Sequence, residues 1–180
     1  MQEKKKIICF MGKSGSGKST LINELHRRFP QTHIVKSFTT REIRENDPND
    51  IYTHTFLTNE EFEIDKKYGN IIALYESPKG YKSWTTDKSF KKLNLYAIDP
   101  KAYIDLYNSH KYEVLGIYLN IDENTRQERL KRRDLVEKID IEKHLDKKIL
   151  LDNDVPVLIV NEHALLRVFK IVGTFIGEHI

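Results

Sequence analysis

Residues Gly12-Lys13-Ser14-Gly15-Ser16-Gly17-Lys18-Ser19 fit the pattern G-x-x-x-x-G-K-[ST] at every fixed position. The chain has only eight glycines, and three of them fall inside these eight residues. Glycine lets the backbone turn through positive φ and brings its N–H groups close to a ligand. Such N–H groups converge into a concavity that binds anions. A helix opening just after it adds unpaired N–H donors and its dipole. In this pattern Lys18 reaches the β- and γ-phosphates of a nucleoside triphosphate, and the Ser19 hydroxyl reaches Mg²⁺. Gly12 to Thr20 is therefore the expected ATP site, with Mg²⁺ arriving on the co-substrate.

Two further clusters could handle anions. Ser37-Phe38-Thr39-Thr40-Arg41-Glu42-Ile43-Arg44 sets two arginines three apart behind a hydroxyl-rich run. A guanidinium is a planar fork of donors suited to phosphate, so Ser37, Arg41 and Arg44 form a candidate second anion site. The alternative is an exposed basic turn. Residues 126–133, R-Q-E-R-L-K-R-R, concentrate five basic residues against one acid. On a helix Arg129 and Arg133 share a face, so the pair can close over a transferring phosphoryl group. Arg126, Lys131 and Arg132 read as solvated. The competing reading of the whole run is a solvated helix face or a nucleic-acid contact. The seven histidines are scattered without ligand spacing, so no zinc site is expected.

Short apolar runs alternate with amphipathic helices around these clusters. Ile7–Met11 reads as a buried strand, and Thr20–Phe29 as a helix with Leu21, Ile22 and Leu25 on one face and Pro30 ending it. Ile34–Phe38 is the next strand. Thr58 and Glu61 make a capping box for a helix over Asn59–Tyr68. Asn70–Tyr75, Leu93–Ile98, Val114–Leu119 and Val157–Val160 read as strands. Helices are expected from Pro100 to Asn108, Glu123 to Arg133, Ile139 to Asp152 and Ala164 to Ile176. Strands separated by helices imply parallel pairing with right-handed crossovers. The order fails between about 40 and 90, where polar and aromatic residues suggest an insertion on an α/β core.

Composition narrows the classes. The chain has 180 residues, 30 Lys and Arg against 27 Asp and Glu, and a formal net charge of +3. This near balance argues against a general nucleic-acid binder. No apolar run is long enough for a membrane span, and the basic start leads into too few apolar residues for a signal peptide. The single cysteine, Cys9, fits a reducing, cytoplasmic setting.

The motifs together resemble the guanylate kinase family. That family has a phosphate loop, a strand ending S-x-T-T-R-x-x-R, an acidic turn, a Tyr/Phe strand and an E-E-F helix. Here these are Ser37, Thr39-Thr40-Arg41, Arg44, Asp47, Phe56 and Asn59-Glu60-Glu61-Phe62-Glu63. The resemblance implies a three-layer α/β/α phosphate-loop kinase with a parallel five-stranded sheet. Residues 1–36 and 91–180 would form the core, with a helical lid near 126–148, and 37–90 an acceptor-binding subdomain. It further implies that Ser37, Arg41 and Arg44 hold an acceptor phosphate. Glu76 would contact guanine, and Trp84-Thr85-Thr86 would stand for the family's Tyr-Gly-[Ser/Thr]. Asp99 would lie near base and metal, and Arg129-Leu130-Lys131-Arg132-Arg133 would enter the lid.

Several positions depart from the family pattern. His54 replaces a family tyrosine, and Tyr52 on the same strand face offers a substitute. Tyr75 could equally take the place aligned with Glu76. Trp84, Tyr75 and Tyr81 are candidates for stacking on a base. A further lid arginine falls near His144, with Lys147 and Lys148 close by. Asn161 reads as a turn or a donor-adenine contact. The implied catalytic set is Lys18, Arg41, Arg129 and Arg133. The implied acceptor set is Ser37, Arg41, Arg44, His54, Glu76, Thr86 and Asp99, with Ser19 and Asp99 toward the metal. The implied reaction is transfer of the ATP γ-phosphate to a nucleoside monophosphate, GMP or dGMP first. The alternatives are a same-fold kinase of a sugar phosphate such as ribose 1,5-bisphosphate, and a peptide-binding module. Partners are then small nucleotides, not nucleic acid or membrane.

Overall fold

The computed structural model describes residues 3–44, 50–132, 147–161 and 165–177. Its centre is a five-stranded sheet, every neighbour parallel: β2 (His33–Ile34), β7 (Leu93–Ala97), β1 (Lys6–Met11), β8 (Glu113–Asn120) and β9 (Leu158–Asn161), in that order across the sheet. Five consecutive buried residues in β1, Ile7 to Met11, explain its place in the middle, because a parallel strand covered on both faces must be apolar throughout. Alternate residues feed two cores. Ile8 and Phe10 pack with Leu21, Ile22 and Leu25 of α1 (Lys18–Arg28) and with Val168 and Val172 of the closing helix, Leu165–Ile176. Ile7, Cys9 and Met11 pack with Ala102, Tyr103 and Leu106 of α4 (Pro100–Asn108), and with Leu150 of the short helix Lys148–Asp152. The result is three layers, helices on both faces of a parallel sheet. Among the described residues no helix is long and apolar enough to cross a membrane.

The run Ile34–Phe38 is not one strand. The chain leaves the parallel sheet after Ile34 and enters a second sheet at Ser37. The register explains the break: among the described residues β2 pairs only with β7, whereas Phe38 pairs with Thr55 on one side and Trp84 on the other. This second sheet has the order β4 (His54–Phe56), β3 (Ser37–Thr39), β6 (Lys82–Thr86), β5 (Ile71–Glu76), and β3 runs antiparallel to β6. Helices α2 (Asp50–Thr53) and α3 (Asn59–Lys67) accompany it. Thr58 caps α3 through a reciprocal box with Glu61. Trp84, fully buried, is the centre of the small core, 5.0 Å from the Phe62 ring and 5.7 Å from that of Phe38, with its indole N–H donating to Asp65. It is structural and does not face a ligand.

The helix α5 (Glu123–Arg132) follows β8. Arg133, His144 and most of the expected 139–152 helix lie outside the described residues, as does Asp47. The sheet order also defines where ligands collect. β1 has β7 on one side and β8 on the other, so the chain's direction of winding reverses beside it, and the crevice lies beyond the carboxyl ends of these strands. The phosphate loop leaves β1 there.

Candidate active site

Local sequence dictates the loop's shape. Gly12, Gly15 and Gly17 have φ of 137°, 85° and 94°. At Gly12 a side chain would also meet solid structure, since a Cβ would lie 2.7 Å from the Leu119 carbonyl oxygen. Gly17 is the left-handed residue from which α1 starts, with no side-chain cap over the helix's first N–H groups. Those donors are what an incoming phosphate meets. The Ser16 Oγ is buried without a hydrogen-bond partner among the described residues, a further polar atom left over inside the loop. Lys18 folds back over the turn, its Nζ donating to the carbonyls of Gly12 at 2.6 Å and Lys13 at 3.0 Å. Ser19 and Thr20 are exposed on the first turn of α1. Lys13 leans outward, 3.7 Å from Glu123.

The first turns of α5 press on this loop. Arg129 Nη1 donates to the Gly15 carbonyl at 3.1 Å. Arg126 overturns the solvated reading: it is 0% exposed, with Nε donating to the Ser14 carbonyl at 3.2 Å and Nη1 bound to Glu123 at 2.6 Å. It stands one turn before Arg129, on the same face. A Cβ at Gly15 would lie 3.6 Å from the Arg126 Cγ, so the arginine stem bounds the space over this glycine. Lys131 and Arg132 are exposed.

The second anion site lines a cleft of ≈ 190 Å³. Ser37, Arg41, Arg44 and His54 come from the β3–β4 side, Tyr75 and Ser83 from β5 and β6, Tyr81 from the connection between those two strands, and Asp99 with Ala97 and Ile98 from the end of β7. Local hydrogen bonds aim the arginines. Thr39 Oγ1 donates to the Lys82 carbonyl and accepts from Ser83 Oγ and from the Arg41 N–H, while Thr40 Oγ1 accepts from the Lys82 N–H. The threonine pair thus pins the end of β3 to β6, and Arg41 emerges from a fixed turn. The cleft lies beside the phosphate loop, because the Ile98 N–H, one residue before Asp99, donates to the Phe10 carbonyl, two residues before Gly12.

The strand pleat decides which predicted residues reach the cleft. Tyr75 faces it, so Glu76 faces away, exposed and in register with Lys82. Ser83 faces it, so Trp84 and Thr86 point to the other side. Thr86 is buried and caps the 3₁₀ turn Asp87–Ser89. Glu76 and Thr86, expected at an acceptor site, therefore lie outside this cleft, and Tyr75 and Ser83 line it instead. Asp99 caps α4, its Oδ1 accepting from the N–H groups of Lys101 and Ala102. Tyr52 is exposed and absent from the lining. Asn161 accepts from Asn120 across the exposed ends of β9 and β8. A smaller hollow of ≈ 60 Å³ beside the loop is lined by Lys13, Asn120 and Lys147 among others.

Sequence reasoning missed Asp50, the residue that binds Arg41. Its carboxylate accepts from both Nη atoms of Arg41. Burial opposes its ionisation, but the bonds from Arg41 and the Arg44 N–H overcome this and hold the carboxyl below its ordinary range. The available signal was the acid-rich sequence Glu45-Asn46-Asp47-Pro48-Asn49-Asp50, which does not say which acid meets Arg41. His54 is pushed down to about 4, first by burial and then by the charge of Arg41, so it is neutral at pH 7. A histidine whose folded pKa lies below its unfolded value of about 6.5 stabilises the fold above that value. Stability should then fall as pH drops from about 6.5 toward 4, and Asp50 adds its own loss only below its ordinary pKa of 3.8. Melting temperatures across pH 4–7 check this. His54→Gln should flatten the slope in that window, and an unchanged slope would contradict the assignment.

Comparison with known proteins extends the picture. Residues 7–72 match the family model described as 50S ribosome-binding GTPase. Guanylate kinase of Helicobacter pylori is 26% identical over 149 residues, covering 80% of this chain and 70% of that protein. Guanylate kinase of Chlorobium luteolum is 36% identical over 67 residues, 37% of this chain and 34% of that one. The crystal structure of guanylate kinase from Anaplasma phagocytophilum superposes with a TM-score of 0.61 at 20% identity, covering 97% of this chain and 88% of that chain.

Proposed function

We propose that this chain, a divergent guanylate kinase-like protein with the phosphate-loop kinase fold, transfers the γ-phosphate of ATP to a nucleoside monophosphate, GMP or dGMP first among them. The observation that carries the reading is the adjacency of the two anion sites: Arg41 and Arg44 share a cleft with Asp99, at the end of the strand beside the phosphate loop. The resemblance to curated guanylate kinases supports the nucleotide acceptor.

The chemistry needs no general base, since the acceptor oxygen is already anionic. The obstacle is bringing two polyanions together: like unit charges 4 Å apart repel by ~4 kcal/mol at an effective dielectric near 20. Lys18 and Arg129 on the donor side, and Arg41 and Arg44 on the acceptor side, offset this and align the reactants. Arg133 would join the donor side. Ser19 and Asp99 offer a hydroxyl and a carboxylate, the hard oxygen donors that Mg²⁺ prefers, and among the described residues no group of three or more acidic, histidine or cysteine side chains forms a dedicated cage. That donor set fits an ion that arrives on phosphates. When bound, Mg²⁺ would neutralise charge on the β- and γ-oxygens. At the base end, Tyr75, Tyr81 and Ser83 supply hydroxyls that both donate and accept, and Asp99 is the one carboxylate among the described lining residues.

An ADP-release assay across GMP, dGMP, AMP, UMP, CMP and ribose 1,5-bisphosphate tests the reading. Turnover is expected with a purine monophosphate, and turnover with the sugar phosphate alone would overturn the nucleotide assignment. In the same assay Arg44→Ala should raise the acceptor KM by about 10–100-fold, the worth of one or two charge-assisted hydrogen bonds. The ATP KM should stay within about twofold, because Arg44 faces the other site. Equal losses for both substrates would contradict two separate anion sites.

A further inference from the structure

Arg41 is fixed on two sides. Its Nη1 and Nη2 donate to Asp50 Oδ2 and Oδ1 at 2.7 and 2.6 Å, and its Cζ lies 5.4 Å from the centre of the Phe56 ring. Asp50 Oδ2 also accepts the backbone N–H of Arg44 at 2.9 Å. The carboxylate is 2% exposed and lies behind the cleft, outside its lining, whereas Arg41, Arg44 and His54 line it. The geometry points to Asp50 as a positioning residue for the acceptor anion. It sets the direction of Arg41 and ties the turn from Arg41 to Arg44 into one piece, without touching the acceptor. This rests on reading the cleft as the acceptor site.

Two physical outcomes compete at such a pair. A carboxylate in the fork either aims the guanidinium or occupies it in place of substrate. Three observations favour aiming. The pair is bidentate and its carboxylate is buried, an arrangement that fixes a guanidinium firmly. Arg41 Nε has no hydrogen-bond partner among the described residues, so one donor edge remains for a ligand. Arg44, whose main chain Asp50 holds, makes no side-chain ion pair among the described residues and lines the cleft. A preset fork loses little freedom when an anion arrives, which is how such a residue raises affinity at a distance.

The test is a four-protein cycle: wild type, Asp50→Asn, Arg41→Ala and the double variant. The readouts are binding of GMP and of inorganic phosphate by calorimetry, KM and kcat for transfer, and thermal midpoints. Asp50→Asn should weaken GMP and phosphate binding about tenfold and leave the ATP KM within about twofold. In the Arg41→Ala background the same change should cost less than about twofold, because its route of action is gone. Asp50→Glu, which keeps the carboxylate, should recover part of the loss, and guards against a variant that fails to fold. Tighter anion binding in Asp50→Asn would show a competitor and overturn the proposal, as would additive losses in the double variant. Phosphate binding without turnover on any acceptor would overturn the kinase reading alone. Absence of both GMP and phosphate binding in the wild type would overturn the role of Asp50 as well.

Discussion

Replacing Lys18 with alanine is expected to lower kcat/KM for phosphoryl transfer by about 10²–10³-fold, the scale found when one preorganised charge donor is removed from a transition state. The geometry makes the expectation specific. The ammonium group rests on the Gly12 and Lys13 carbonyls, so it is already gathered over the loop where the phosphates must sit. A triphosphate offers it stronger, anionic acceptors than two neutral carbonyls. The alanine variant also loses the two bonds to the loop, a cost of about 1–2 kcal/mol in the ligand-free protein. Single-turnover kinetics with thermal unfolding separates the two effects. A variant that unfolds earlier but transfers phosphate at the original rate would remove Lys18 from the chemistry.

Arg126→Ala is the second large effect, and it acts on stability and donor binding together. The side chain is wholly buried, bounds the space over Gly15, and is bonded to the Ser14 carbonyl and to Glu123. Removing one member of a fully buried ion pair costs about 3–5 kcal/mol. Glu123 is about half exposed and can be hydrated instead, so about 2–3 kcal/mol is the expectation here. ATP affinity should fall about tenfold as the loop loses its backing, with a smaller effect on acceptor binding. Urea unfolding midpoints and ATP titrations check both. Arg126→Met keeps the apolar stem and should recover the packing part of the stability but not the loop bond. Unchanged midpoints in both variants would mean that α5 does not support the loop.

How much was legible follows from where each kind of information resides. The parallel sheet was readable because β1 is apolar at consecutive positions and the helices repeat at 3.6, signals that depend on the local sequence alone. The phosphate loop was readable because its glycines are required by positive φ and, at Gly12, by the Leu119 carbonyl. The boundary at Val35 and Lys36 was not readable, since Ile34–Phe38 has strand character throughout and only pairing partners reveal two sheets. Glu76 and Thr86, placed by the family resemblance, lie off the cleft: one residue along a strand exchanges faces, as between Tyr75 and Glu76, and Ser83 and Thr86 lie an odd three apart. Arg126 was misread because a charged residue in a basic run is usually solvated. Its burial depends on the approach of the loop, 112 positions earlier in the chain. Asp50 escaped for a similar reason, as its role depends on Arg41 folding back nine positions.

The burial of Trp84 has a practical corollary. It is the chain's one tryptophan, and it sits between Phe38 and Phe62 in the smaller sheet rather than in the parallel one. Its emission will therefore report the integrity of that sheet by itself, while the large core, furnished with tyrosines such as Tyr96, Tyr103 and Tyr118, is silent at the same wavelength. Comparing the red shift of this fluorophore with far-ultraviolet circular dichroism during denaturation would show whether the two sheets melt in concert or in sequence.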